Sequence, residues 1–281
     1  MEIPAPHLRV GAVVALKRVD TAKSRLGSLA DPLRRRLAET MAADTLAALS
    51  AAVDQLLVVS DQPWLESRLR RLGVSAAVAA EPGRVGMNGA LSHGDQLLRD
   101  GGCESVLACV GDLPALRPAT VRLVLGTVAT EGRSFVADAS GVGTTMLLAR
   151  GTALDPRFTG HSAAAHRASG ATALTDDRLG ARVPDARRDV DTEADLSDAA
   201  RLGVGRLTSA LIDPSTGALG RYETVTVSVL RDPAGDQLAF TSTGARILLP
   251  AAALQDGLRE AHPGQRLHAV TNGARVLAAW P

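Results

Sequence analysis

Three acidic positions carry the strongest chemical suggestion in this chain. Asp112 follows the apolar run SVLACV in GDLPAL, between Gly111 and Pro114, which set a turn. Asp189 and Asp191 stand two apart in RRDVDTEADL, so on an extended segment their side chains face the same side. A hard cation such as Mg²⁺ takes carboxylate oxygen and keeps water and phosphate oxygens in its other positions. A site shared by Asp112, Asp189 and Asp191 would hold such an ion; the competing role for Asp112 is to cap its own turn. Glu193 and Asp195 need no ligand, because carboxylates suit the first turn of a helix starting at Asp191 or Thr192.

Cations gather elsewhere. The segment LKRVDTAKSRLG places Lys17, Arg18, Lys23 and Arg25 in a loop leaving an apolar run, which would offset the charge of a polyphosphate. Its other reading is a solvated basic loop. No P-loop pattern is present. In EPGRVGMNGAL, Gly83, Gly86 and Gly89 allow close backbone approach to a ligand, and Glu81 and Asn88 offer groups for a base or ribose. Asn88 could equally be a helix N-cap. Thr144 and Thr145 in GVGTTMLLA, with Ser162 at a helix start in FTGHSAAAH, would form a small acceptor pocket for a phosphate and a carboxylate. Plain capping is the alternative for Ser162. His161 and His166 show no metal spacing and read as surface residues.

These groups need elements that bring them to one edge. Apolar runs at Val10–Leu16, Gln55–Ser60, Val74–Ala79 and Ser105–Val110 read as buried strands. Helical patterns between them run from a cap at Asp31-Pro32 to about Ser50, after a cap at Asp61, over about Asn88–Arg99, and from about Pro118 to Thr130. Shorter strands follow at Ser134–Ala137 and Thr144–Ala149. Continuous apolar strands separated by helices predict an α/β, doubly wound, mostly parallel sheet. Ligands of such sheets bind beyond the carboxyl ends of the strands, where the candidate loops lie. From residue 213 the pattern changes. A turn-rich linker over 213–221 leads to short strand-like runs at Glu223–Leu230, Gln237–Thr241, Ala245–Leu249, Arg266–Val270 and Arg275–Ala279, which suggest a small OB-like or SH3-like barrel over 222–281.

Composition narrows the function. The 281 residues are 46% hydrophobic, so a core is within reach, but only 2% aromatic, so that core is Ala, Val and Leu and base-stacking platforms are scarce. A net charge of +1 gives no basic face for nucleic acid or membrane. Cys103 and Cys109 match no metal spacing and read as buried thiols. No apolar run approaches the ~18 residues of a membrane span, and the N-terminus lacks a charged segment followed by an apolar one, so a cytoplasmic protein is expected.

Taken in order, AKSRL, the Gly-rich loop with Asn88, GDLPAL, GTT, F-x-x-x-S-A-x-x-H and DVDT-x-x-DL resemble the phosphoenolpyruvate / 2-phospho-L-lactate guanylyltransferases of coenzyme F420 biosynthesis, over about residues 8–212. The resemblance implies the nucleotidyltransferase fold of molybdenum cofactor guanylyltransferases (a nucleotide-diphospho-sugar-transferase-like, GT-A-like Rossmann variant). It also implies GTP as substrate, Mg²⁺ as cofactor and a handover to the downstream transferase of that pathway. It puts Asp112, Asp189 and Asp191 at the metal, and Lys17, Lys23 and Arg25 on the triphosphate, with Lys23 joining the three aspartates in catalysis. Glu81, Gly86 and Asn88 fall in the nucleotide segment. Thr144, Thr159 and Ser162 fall in the acceptor pocket, although the position of Thr159 is usually glycine in the family and Gly160 follows it here. The resemblance does not reach the tail.

The expected reaction joins GMP from GTP to a small phosphorylated carboxylic acid. Its acceptor is read as phosphoenolpyruvate because the Ala/Arg-rich composition resembles bacterial members. 2-Phospho-L-lactate, 3-phospho-D-glycerate, or a molybdopterin or sugar phosphate remain open. A reading from another class is a non-catalytic nucleotide-binding scaffold carrying a C-terminal binding module. On the enzymatic reading, removing residues 214–281 should leave transfer intact.

Overall fold

The computed structural model describes residues 8–16, 26, 29–83, 85–127, 131–177 and 179–281. The chain runs through β1 (Val10–Ala15), α1 (Asp31–Ser50), β2 (Gln55–Val59), α2 (Leu65–Arg71), β3 (Ala77–Ala79) and α3 (Gly86–Asp100). Next come β4 (Ser105–Cys109), α4 (Pro118–Thr127), β5 (Gly132–Ala137), β6 (Thr144–Arg150), α5 (Ser162–Ala168) and β7 (Thr172–Ala173). Short helices α6 (Leu174–Asp177), α7 (Pro184–Arg187), α8 (Glu193–Leu202) and α9 (Arg206–Ser209) complete the first part.

The seven strands form one sheet in the order β3-β2-β1-β4-β6-β5-β7. Pairing is parallel from β3 through β4, whereas β6 runs antiparallel to both β4 and β5. The sheet is therefore mixed: β5 and β6 follow each other through a tight turn, and a short connection can only reverse the chain. Alternation explains the apolar runs of the central strands. Ala12 and Val14 of β1, with Leu107 and Cys109 of β4, belong to one buried cluster; Val13, Val106 and Ala108 belong to the other. Both faces are covered, and the polar Ser105 that opens β4 is buried with its Oγ accepting Arg150 Nε at 3.0 Å. Helix α3 presses hardest on the second face. A Cβ at Gly94 would lie 2.3 Å from Val13, so only glycine fits.

Helix starts differ from the sequence reading. Asp31 is not a cap but a first-turn residue bonded to Arg34 at 2.6 Å, and α2 begins at Leu65 rather than just after Asp61. Helix α8 does begin after Thr192, with a capping box between Thr192 and Asp195.

The second sheet comprises β8 (Arg221–Arg231), β9 (Gln237–Thr241), β10 (Arg246–Leu249), β11 (Arg266–Thr271) and β12 (Val276–Trp280), in the order β10-β9-β8-β11-β12. Every neighbouring pair is antiparallel. The sheet curls into a half-barrel, so that Leu248 of β10 bridges to Arg275 and Leu254 bridges to Ala279 of β12. Its own small core includes Val225, Ile247, Leu267 and Ala279. A further cluster is shared: Leu33, Leu37 and Met41 of α1 pack with Leu211, Val270, Ala278 and Trp280. Across 213–221 the backbone folds back on itself, through Asp213 N–H to Ala218 O at 2.8 Å and Gly220 N–H to Leu211 O at 3.0 Å. Among the described residues, no helix is long and apolar enough to cross a membrane.

Candidate active site

The carboxyl ends of β1 and β4 open onto a cavity of about 480 Å³. Asp112, Asp189 and Asp191 all line it, although nearly eighty residues separate the first from the other two. Backbone pairing brings them together: the N–H of Val190 donates to the carbonyl oxygen of Asp112 at 3.1 Å. The turn bearing Asp112 is itself held from α1, because Leu113 N–H donates to Thr45 Oγ1 at 3.0 Å and Thr45 is fully buried. Asp191 leads into the capping box of α8, which sets where the second strut ends.

The electrostatics follow from this crowding. Burial, and then the charge of Asp112, push the Asp189 pKa up from 3.8 to about 6, with Asp191 and Asp138 adding to the rise. A buried carboxylate whose charge its acidic neighbours disfavour marks a place where a cation would be welcome. Among the described residues, no three His, Cys, Asp or Glu side chains are grouped closely enough to hold a metal ion by themselves. A small hard cation does not need such a group, since it usually takes one or two carboxylates and completes its shell with water and substrate phosphate. An all-oxygen donor set facing an open cavity fits that mode.

Other expected residues are distributed less simply. Lys17, Lys23 and Arg25, with Arg18, lie outside the described residues. Gly83 and Gly86 have φ of +79° and +69°, a left-handed backbone that glycine adopts without strain. Helix α3 starts at Gly86, so Asn88 is inside its first turn and is not the N-cap. Its Oδ1 accepts the Phe158 N–H at 2.8 Å instead. Met87 borders the cavity, whereas Glu81, Gly86 and Asn88 are not among its lining residues.

Thr144 and Ser162 are buried, at 5% and 3% exposure, and lie with His166, while Thr159 is exposed. His166 corrects the sequence reading: it is a fully buried residue, not a surface one. Its Nε2 accepts the Arg157 N–H at 2.9 Å, and its Nδ1 is 2.9 Å from Thr144 Oγ1. Burial lowers the His166 pKa from 6.5 to about 4, so the ring is neutral at neutral pH. A neutral imidazole that accepts at Nε2 must carry its proton on Nδ1, so it donates to Thr144. The Thr144 hydroxyl proton is thereby left to point elsewhere. Ser162 is the first residue of α5 and caps nothing; its N–H goes to Gly160 O and that of Ala163 to Val142 O. The link from this group to the cavity is Phe158, which lines the cavity and meets His166 edge-on at 5.2 Å.

Several lining residues had no signal in the sequence. Trp64 is 44% exposed and lies on the cavity wall with Leu65 and Leu69 of α2. Glu39 of α1 and Arg68 of α2 also line it. Spacing could not have revealed these, because they meet only through tertiary packing.

A family described as "Guanylyl transferase CofC like" matches residues 10–208. The phosphoenolpyruvate guanylyltransferase of Salinispora arenicola is 41% identical over 215 residues, 74% of this chain and 96% of that protein. That of Streptomyces coelicolor is 46% identical over 204 residues, covering 71% and 93%. Among solved structures, a nucleotidyl transferase from Methanothermobacter thermautotroptrophicus superposes with a TM-score of 0.44 at 21% identity, covering 69% of this chain and 97% of that one.

Proposed function

This chain belongs to the CofC-like guanylyl transferase family, and from that premise we propose that it transfers GMP from GTP to phosphoenolpyruvate. A phosphate oxygen of phosphoenolpyruvate attacks the α-phosphorus of GTP, the bond from that phosphorus to the bridging oxygen breaks, and pyrophosphate leaves. The product is enolpyruvyl-diphospho-5'-guanosine, an intermediate suited to coenzyme F420 biosynthesis. The observation that carries the reading is the Val190–Asp112 backbone bond, which sets three carboxylates on one cavity wall of a chain 41–46% identical to phosphoenolpyruvate guanylyltransferases.

No general base is needed, because a phosphate oxyanion is already nucleophilic at neutral pH. The residues have two tasks: to hold two repelling anions in line and to offset charge on the leaving oxygens. Asp112, Asp189 and Asp191 are the groups that would hold a divalent cation, Mg²⁺ in this reading. When bound, such an ion shields the phosphates from one another and stabilises the departing pyrophosphate. Lys17, Lys23 and Arg25 take up triphosphate charge, and the segment of Glu81, Gly86 and Asn88, which borders the cavity at Met87, serves the nucleoside. Trp64 offers the base an apolar face on the cavity wall. Thr144, aided by Ser162 and Thr159, serves the acceptor: with His166 donating to its oxygen, its hydroxyl proton is free for a phosphate or carboxylate oxygen.

The test is GTP consumption with phosphoenolpyruvate, 2-phospho-L-lactate and 3-phospho-D-glycerate supplied separately, with pyrophosphate release coupled to a dye. Phosphoenolpyruvate should give the highest kcat/KM. Faster turnover of either alternative would replace the acceptor, and release independent of any acceptor would remove the reaction.

A further inference from the structure

Resting on that reading of the cavity, we infer that the C-terminal half-barrel is a working part of the nucleotide site, through Asp256 acting as a positioning residue for Arg68 and Glu39. The half-barrel lies beyond residues 10–208 that match the family, so the contact belongs to this chain's added segment. Four charges close the contact. Asp256 Oδ1 takes Arg36 Nη1 at 2.8 Å and Arg68 Nη1 at 2.9 Å. Glu39 Oε2 takes Arg68 Nη2 at 2.6 Å and lies 3.6 Å from Arg36 Nη1. Two guanidiniums thus face two carboxylates, and Gln255 Oε1 accepts Arg36 Nε at 3.1 Å.

The quartet is not surface decoration. Arg36 is 2% exposed, Asp256 13% and Arg68 14%, so the ions are shielded from water and none can lose its partner cheaply. Arg36 also stacks over Trp280 of β12, with its guanidinium carbon 5.2 Å from the ring centre. Asp256 holds a φ of +61°, a left-handed backbone unusual for a residue with a side chain. It sits there with both guanidiniums on one oxygen.

Two members of this quartet, Glu39 and Arg68, line the cavity that holds Asp112, Asp189 and Asp191. With both Nη atoms occupied, Arg68 is turned into wall rather than left as a loose cation beside a polyphosphate. Helix α2, which also carries Leu65 and Leu69 into the cavity, is pinned to α1 by Glu39 and to the half-barrel by Asp256. Without the Asp256 charge, Arg68 loses half its anchoring, and the wall that receives the nucleotide is no longer held.

The experiment is a double-mutant cycle on Asp256→Asn and Arg68→Gln in the full chain, with KM for GTP, kcat and thermal melting read for each. Asp256→Asn should raise KM for GTP about tenfold and leave kcat within about twofold, because it disturbs reception of the nucleotide and not the reacting atoms. The double variant should be no worse in KM than Arg68→Gln alone, as expected when one residue acts through the other. A KM change below about twofold, with melting lowered, makes the contact purely structural and overturns the inference. Effects that multiply overturn it as well. If Asp256→Asn does not fold, Asp256→Glu is read instead, with a KM rise of at least about twofold required. If the wild type transfers no GMP to phosphoenolpyruvate, the proposed function falls separately, and the same cycle is read from GTP affinity by calorimetry. A wild type that binds no GTP defeats both.

Discussion

The N–H of Val190 reaches the carbonyl oxygen of Asp112 across 3.1 Å, tying the turn after β4 to the segment that enters α8. Asp189 and Asp191 flank Val190 in sequence, so the bond brings them to the cavity that Asp112 also lines. If the three serve chemistry and not folding, then Asp112→Asn, Asp189→Asn and Asp191→Asn should each cut GMP transfer about 100-fold or more. Melting should distinguish the roles. The raised pKa of Asp189 means that its charge is held at a cost in the folded, metal-free chain. Asp189→Asn should therefore leave the melting temperature unchanged or higher at pH 7.5. A similar loss of stability in all three variants would mark them as structural.

Proton and metal compete at Asp189. Because its folded-state pKa of about 6 lies above 3.8, its contribution favours folding at low pH and is lost as pH rises through 6. The melting difference between Asp189→Asn and wild type should thus widen in the variant's favour from pH 5 to 7.5, without metal. Mn²⁺ affinity by equilibrium dialysis should fall as pH drops below 6, approaching about tenfold per pH unit for one displaced proton. Flat affinity between pH 5 and 7.5 would separate the metal from this carboxylate.

His166 should show the opposite sign. With its pKa lowered from 6.5 to about 4, it stabilises the fold above pH 6.5, and that contribution disappears as pH falls through 4. His166→Gln should lower the melting temperature at pH 7.5, with the deficit shrinking towards pH 4. Because His166 sets the Thr144 hydroxyl, KM for phosphoenolpyruvate should also rise, while KM for GTP should hold. Equal rises in both would disconnect this pair from the acceptor.

Trp64 is the aromatic best placed to meet a base. Trp64→Ala should raise KM for GTP by the equivalent of about 1–3 kcal/mol, roughly 5- to 150-fold. GTP should also quench the tryptophan emission of the wild type and not that of the Trp64→Phe variant. Quenching that survives in Trp64→Phe would have to come from Trp280, and would rule out the stacking role.

Removing residues 214–281 no longer tests catalysis cleanly. On the sequence alone the tail looks detachable, but Leu33, Leu37 and Met41 share a buried cluster with Val270, Ala278 and Trp280. Truncation should uncover that surface and lower the melting temperature sharply, or yield aggregated protein. A truncated chain that melts like the full one would show the shared cluster to be dispensable.

Local signals carried most of the framework. The runs at β1 and β4 are apolar because both faces of their sheet are covered, so they read as buried strands without further information. The strands from β8 to β12 were visible through their turns. The direction of β6 was not, since an apolar strand has the same composition whether its neighbour runs parallel or antiparallel. In the site, Asp112 stands out because it follows the end of a strand run, and Asp189 and Asp191 because they lie two apart just before a helix. His166 reads as a surface residue because AAAH on a short helix has no periodicity to mark a buried face. Arg36, Glu39, Arg68 and Asp256 meet across as many as 220 positions, and nothing in spacing records such a meeting.

The most direct test is anomalous diffraction from a crystal grown with Mn²⁺, a non-hydrolysable GTP analogue and phosphoenolpyruvate. The account predicts a Mn²⁺ peak bounded by the carboxylates of Asp112, Asp189 and Asp191 and by phosphate oxygens of the nucleotide. Metal and nucleotide bound away from those three side chains, or carboxylates turned from the phosphates, would contradict it.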